Sequence, residues 1–148
     1  TFRIVFLHGS GGGPDTEFMD FFAEQGAVLG AEVVRPDFPY WEMVRETGKQ
    51  RPPNKVPVLV DAIDELLSEL QQDNKPLVLM GKSLGSRVML RLADKYSAKA
   101  VIALGFPFHP PLQWLEGADH GFAATKAKAA DTPKLWQEAA DAIKEFIQ

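Results

Sequence analysis

The chain has no cysteine, which excludes disulfide bonds and thiolate metal sites and suits a cytoplasmic setting. It has no apolar run near the ~18 residues that a membrane span requires. No basic segment with a longer apolar run precedes the opening stretch "TFRIVFL", so no secretory leader is expected. Charge is not lopsided either: 16 basic and 20 acidic residues leave a formal net charge of −4. That balance argues against nucleic acid or an anionic membrane as the main partner. Repeats, linkers and low-complexity tracts are missing from the 148 residues, so a single domain over 1–148 is expected, long enough for one sizeable core.

What the chain does contain is an alternation of strand-like and helix-like segments. Phe2–Leu7 is short, apolar and β-branched, and breaks at "HGSGGGPD". Residues 15–29 place Phe18, Phe22 and Ala23 on one helical face, with Asp15 or Thr16 as the cap. "AEVVRP" reads as a second strand, and "DFPYWEMVRETGKQRPPNK" as a long loop. Over 57–72, Leu59, Ile63, Leu66, Leu67 and Leu70 share a face, and Pro57 suits a first turn. "PLVLM" is continuously apolar, as a strand buried on both faces is. A helix over 84–96, a strand in "AKAVIALG", an aromatic loop "FPFHPP", a short strand at 112–116 and a final helix follow. In that last helix Leu135, Ala139, Ala142, Ile143 and Phe146 recur at helical spacing. The expected fold is therefore α/β: a three-layer α/β/α sandwich around a mostly parallel sheet.

The stretch "LVLMGKSLGSRV", 77–88, ends a strand in chemistry. A phosphate-binding loop is disfavoured, because G-x-x-x-x-G-K-[ST] needs a free glycine-led loop. Pro76 stands where its first glycine belongs, and Leu77–Met80 are strand. Gly81-Lys82-Ser83-Leu84-Gly85 is instead G-x-S-x-G, following a buried strand and opening a helix, as a nucleophile elbow requires. Small flanking residues let Ser83 occupy a strained turn, with first-turn amides of the helix near a forming oxyanion. The plainer alternative is a small-residue turn carrying a solvated serine.

Two further stretches suit acyl chemistry. In "LHGSGGG" the glycines let backbone approach a substrate carbonyl, with the Ser10 N–H as an oxyanion donor. A dinucleotide fingerprint fails there, because G-x-G-x-x-G would need glycine where Pro14 or Thr16 stands. "EGADHGF" puts His120 late in the chain, in a turn where a general base would reach Ser83. His8 reads as a brace for the glycine loop, and His109 sits next to prolines in a structural or pocket position. Phe38, Tyr40, Trp41, Phe106 and Phe108 follow strand ends, where open α/β sheets bind ligands, and are expected to line an apolar pocket. Loop aromatics equally serve plain packing. Arg45, Lys49 and Arg51 read as an exposed charged loop, with attraction of an anionic substrate as the alternative.

In order, "VFLHGSGGG", "RPDFPYW", "GKSLGSR", "LGFPFHPP" and "EGADHGF" resemble the α/β-hydrolase superfamily, especially small serine hydrolases related to dienelactone hydrolase. The resemblance implies Ser83 as nucleophile, His120 as base, and the N–H groups of Leu84 and Ser10 as oxyanion hole. It implies strand order 2-1-3-4, a small-molecule acyl substrate, and neither metal nor organic cofactor.

One thing expected of such a chain is missing. The acid of the triad follows the penultimate strand in this superfamily, but "GFPFHPP" runs almost directly into "LQWLEGADH". The seven residues 105–111 reach ~23–25 Å at most, against a strand of ~17–20 Å, where a parallel crossover usually takes a dozen or more. One strand–helix unit is thus lacking between Pro111 and Leu112: either it has been lost, or it belongs to the protein and is absent from this sequence. A true loss would leave an uncovered sheet flank and favour a homodimer. Asp37, Asp119 and Asp131 are the candidates in view, and none fills the expected acid position. A non-catalytic binding or scaffold module of the same fold is the alternative function.

Overall fold

The computed structural model describes residues 1–105 and 132–147. Four parallel strands form one sheet: β1 (Arg3–Leu7), β2 (Glu32–Val34), β3 (Leu77–Lys82) and β4 (Ala100–Leu104). Their order is β2-β1-β3-β4, as expected. Ile4 of β1 lies level with Val33 of β2 and Val78 of β3, which in turn lies level with Ala100 of β4. All five residues of β1 and Leu77–Gly81 of β3 are buried.

Successive strand residues point to opposite faces, and two cores result. Val5, Leu7, Leu77 and Leu79 face one core, while Ile4, Phe6, Val78 and Met80 face the other. Covering both faces is what makes these strands continuously apolar. The first core is closed by α2 (Pro39–Thr47), α3 (Val56–Leu70) and α4 (Leu84–Leu90), through Tyr40, Leu59, Ile63, Leu67, Val88 and Met89. Each such fully buried side chain contributes roughly 1.5–3 kcal/mol. The second is closed by α1 (Glu17–Val28) and α5 (Thr132–Ile147), through Phe18, Met19, Phe22, Ala139 and Ala140. Trp136 of α5 meets Phe18 edge-on, with ring centroids 5.4 Å apart.

Three local expectations are corrected. The stretch 37–55 is not all loop, since α2 lies within it. Pro39 supplies the fixed φ of a first turn, Phe38 and Tyr40 are pulled into the core, and Gly48 ends the helix at φ 71° with its N–H on the Val44 carbonyl. The helix expected over 84–96 stops at Leu90 and continues as turns, in which Arg91 and Leu92 donate to carbonyls three residues back. In α5 the buried residues are Leu135, Ala139 and Ala140, while Phe146 is exposed. Elsewhere the expectations are met: Thr16 caps α1 by accepting from the Met19 N–H, and Leu59, Ile63 and Leu67 are the buried stripe of α3.

The start of the sheet is tied by Arg3, whose side chain is buried although charged. Its guanidinium donates to Glu32 at 2.8 Å, to Asp73 at 2.7 Å and to the Leu70 carbonyl at 2.8 Å. This arrangement pins the first residue of β1 to the start of β2 and to the turn after α3. Arg3 and the Lys75 amide hold the Asp73 carboxyl down at about 2.

Candidate active site

Ser83 sits between β3 and α4 with φ 51° and ψ −109°. A non-glycine residue rarely adopts a positive φ, and holding it there costs about 1–3 kcal/mol. The two flanking glycines explain how the turn can exist. A Cβ on Gly85 would lie 2.2 Å from the Leu7 carbonyl oxygen, and one on Gly81 would lie 2.6 Å from the Ser86 nitrogen. Neither contact can be relieved by turning a side chain, so glycine alone lets α4 start against the ends of β1 and β3. Three hydrogen bonds fix the turn. Ser83 N–H donates to the Leu104 carbonyl at 2.9 Å, Ser86 N–H to the Ser83 carbonyl at 2.9 Å, and buried Ser86 Oγ to the Gly81 carbonyl at 2.8 Å.

The glycine loop after β1 passes directly over this serine. A Cβ on Gly9 would stand 3.7 Å from that of Ser83. His8 is fully buried and holds the loop from behind. Its Nε2 accepts from the Phe38 N–H at 3.1 Å, so the proton sits on Nδ1, which meets the Gly9 carbonyl at 2.7 Å. Burial pushes the His8 pKa below its ordinary value, and the neutral ring is the form these bonds need. Tyr40 Oη reaches the Gly9 and Ser10 carbonyls at 3.3 and 3.2 Å. Its own pKa is raised to about 12 by burial. A trans peptide points its N–H opposite to its C=O. Drawing the Gly9 and Ser10 carbonyls inward therefore turns the Ser10 and Gly11 amides outward.

Outward of the loop lies a cavity of about 340 Å³, lined by Gly9–Gly13, Thr16, Met19, Lys82 and Ser83. It stands at the C-terminal ends of the strands, where α/β sheets bind ligands. Gly13, at φ 65°, turns the loop under Trp41, whose indole lies 2.1 Å from where a Cβ on Gly13 would be. The outer rim is held by arginines. Arg45 binds Asp37 through both carboxylate oxygens and also pairs with Asp15, while Arg35 bonds Asp20 and the Pro14 carbonyl.

The structure thus brings together Ser83, Ser10 and, at the start of α4, Leu84. It does not bring Phe38 or Tyr40 to the cavity: both are buried in the first core against His8, with the Phe38 ring centroid 4.6 Å from the imidazole. Their expected role as pocket lining is replaced by packing and, for Tyr40, by bracing the loop. Trp41 is partly buried and packs over Gly13. Asp37 is committed to Arg45, and Arg45 to two carboxylates. Phe106, Phe108, His109, Asp119, His120, Asp131 and the strand expected at 112–116 lie outside the described residues. Lys82, Thr16 and Met19 line the cavity without having been singled out. Lys82 was visible in the motif, as the residue before the serine. Among the described residues no cluster of histidine and carboxylate side chains is placed to hold a metal ion, and no helix is long and apolar enough to cross a membrane.

Solved structures resemble this fold over four fifths of its length or more. An alpha/beta-superfamily protein from Xanthomonas campestris pv. campestris superposes with a TM-score of 0.65, at 20% identity over 98% of this chain and 99% of that one. An alpha-beta serine hydrolase homologue from Coxiella burnetii gives 0.70, at 15% identity over 95% and 84%. An extracellular alpha/beta-hydrolase from a Paenibacillus species gives 0.51, at 17% identity over 80% of this chain and 44% of that one. At such identities the likeness speaks for the fold alone. No curated protein sequence matches the chain. A family model described as alpha/beta hydrolase domain matches residues 1–113, well over half the length, and the chain belongs to that alpha/beta hydrolase family.

Proposed function

We propose that the protein is a serine hydrolase acting on a carboxylic ester or similar acyl compound. The observation that supports this is the strained Ser83 lining the same cavity as the glycine loop, whose Ser10 and Gly11 amides face outward. Ser83 Oγ forms a bond to the substrate carbonyl carbon while its proton passes to His120, the base that the sequence pattern assigns. The carbonyl oxygen becomes an oxyanion facing the amides of Ser10 and Leu84; the latter, first in α4, has no acceptor within its helix. Collapse breaks the bond to the leaving group, which departs with the proton from His120. Water then attacks the acyl-enzyme by the same route, returning Ser83. A cytoplasmic setting, a small-molecule acyl substrate and kinship with dienelactone hydrolase within the superfamily belong to the same proposal.

A second reading has one observation in its favour: none of the described carboxylates lines the cavity. A module that binds a ligand without turning it over would have no need of a triad acid. Labelling with a fluorophosphonate decides between the two. Covalent modification that disappears in Ser83→Ala supports the hydrolase, and an unmodified, folded wild-type protein supports the binding module.

A further inference from the structure

We infer that Tyr40 is a positioning residue: its hydroxyl sets the plane of the Ser10–Gly11 peptide and so presents the Gly11 amide, next to that of Ser10, to the oxyanion. This deepens the proposed hydrolase function and rests on it. Two carbonyls of the glycine loop, those of Gly9 and Ser10, converge on the one hydroxyl hydrogen of Tyr40, at 3.3 and 3.2 Å. They do not depend on it equally. The Gly9 carbonyl already meets His8 Nδ1 at 2.7 Å, and the shorter bond is the stronger. The Ser10 carbonyl has Tyr40 as its one donor among the described residues. The two buried side chains therefore divide the loop between them. His8 turns the Gly9–Ser10 peptide and aims the Ser10 amide, while Tyr40 turns the Ser10–Gly11 peptide and aims the Gly11 amide.

Packing gives the second peptide little support. A Cβ on Gly11 would meet nothing within 4 Å, and glycine turns freely about its backbone, so a hydrogen bond has to hold the plane. Tyr40 is well placed to supply it. Its N–H donates to Asn54 Oδ1 at 2.9 Å, and its side chain is buried with the ring stacked on Phe38, centroids 6.4 Å apart. Burial raises its pKa to about 12, so at neutral pH the hydroxyl carries the proton it donates. Phenylalanine would fill the same core position without a hydroxyl to bury, and the Ser10 carbonyl would then lose its donor. The chain has one other tyrosine, and it serves as a contrast. Tyr96 Oη bonds the Asp64 carboxylate and, at 2.9 Å, the Asp64 carbonyl. That contact ties the turns after α4 to α3 and involves no residue of the cavity wall.

The test compares the two tyrosines. Tyr40→Phe keeps the ring and removes the hydroxyl. Its Ser83 should label with a fluorophosphonate about tenfold more slowly per folded molecule, the scale of one hydrogen bond. Loss of a whole oxyanion donor would cost about a hundredfold or more; here an amide is misdirected and not removed. With 4-nitrophenyl acetate, kcat should fall by the same factor and KM stay within about twofold, because an amide aimed at an oxyanion acts in the transition state. Tyr96→Phe removes a comparable hydroxyl bond, and should lower the urea midpoint while labelling at the wild-type rate. Tyr40→Met replaces the phenylalanine variant where that does not fold. Three results overturn the inference and leave the hydrolase standing: wild-type labelling in Tyr40→Phe, a change in KM alone, or equal slowing in Tyr96→Phe. A folded wild-type protein whose Ser83 never labels removes the hydrolase, and this inference with it.

Discussion

β1 has a buried polar side chain at each end, Arg3 at its start and His8 just beyond its finish. At the start the side chain stays charged, with carboxylates gathered around it whose own surfaces remain about half exposed. Past the finish the side chain is neutral and its partners are backbone groups, the Phe38 amide and the Gly9 carbonyl. The first arrangement joins elements of the sheet to one another. The second fixes the direction of a peptide plane. Burial alone therefore says little about a polar group's purpose, and the kind of partner says more.

The sharpest way to break this contrast is to remove the close approach on which the His8 end depends. Gly85→Ala drives a methyl into the Leu7 carbonyl, so α4 must leave the sheet. A loss of about 3 kcal/mol or more is expected, beyond ordinary overpacking, read as a lower urea midpoint. Next comes His8→Ala, which strands a buried amide and a buried carbonyl at about 1–3 kcal/mol each. It should also slow fluorophosphonate labelling of Ser83 at least tenfold, because the Ser10 amide is no longer aimed. Arg3→Met should do the opposite. It should cost about 2 kcal/mol, less than breaking a fully buried pair because the abandoned carboxylates reach water, and leave the labelling rate per folded molecule unchanged. Slowed labelling in Arg3→Met would erase the distinction between the two ends.

Acid sharpens the comparison. The His8 pKa is lowered in the fold, so the unfolded chain takes up a proton first as pH falls below ~6.5, and stability from that end fades from there downward. The Asp73 pKa is also lowered, so its contribution is complete above ~4 and is lost as pH falls through about 2. Urea midpoints measured from pH 7 to 2 should therefore decline in two windows. His8→Ala should weaken the upper decline and Arg3→Met the lower. The Asp15, Glu32 and Asp64 carboxyls, also held below their ordinary values by their partners, contribute to the lower one as well. The smallest effect expected is a gain: Ser83→Gly relieves a positive φ and should add about 1 kcal/mol while abolishing labelling.

Much of this was legible in the letters. The continuous apolar runs of β1 and β3 announced strands covered on both faces, and the resemblance to the superfamily, together with βα alternation and right-handed crossovers, implied the strand order. The glycines around Ser83 were readable because they form a local motif, although Gly85 acts by clearing the distant Leu7 carbonyl. What escaped depends on contacts between distant residues. Pro39 and Gly48 suit the two ends of 39–47, but among so many prolines they read as loop residues, and what anchors the helix is Tyr40 settling into a core built by β1, β3 and α3. His8 and Phe38 are thirty residues apart and meet only because β1 and β2 lie parallel, with Val5 level with Val34. Aromatic residues at strand ends looked like pocket lining for the same reason. Sequence says that they follow a strand, and not which way the helix after it turns them.

The bond from the Ser83 amide to the Leu104 carbonyl has a kinetic consequence. A first-turn amide usually trades its proton for deuterium through fraying of its own helix. This one is locked by the end of β4, so its isotope exchange waits on detachment of that strand. A single backbone position beside the reactive hydroxyl thereby becomes a clock for the opening of the strand beside β3, readable without any substrate.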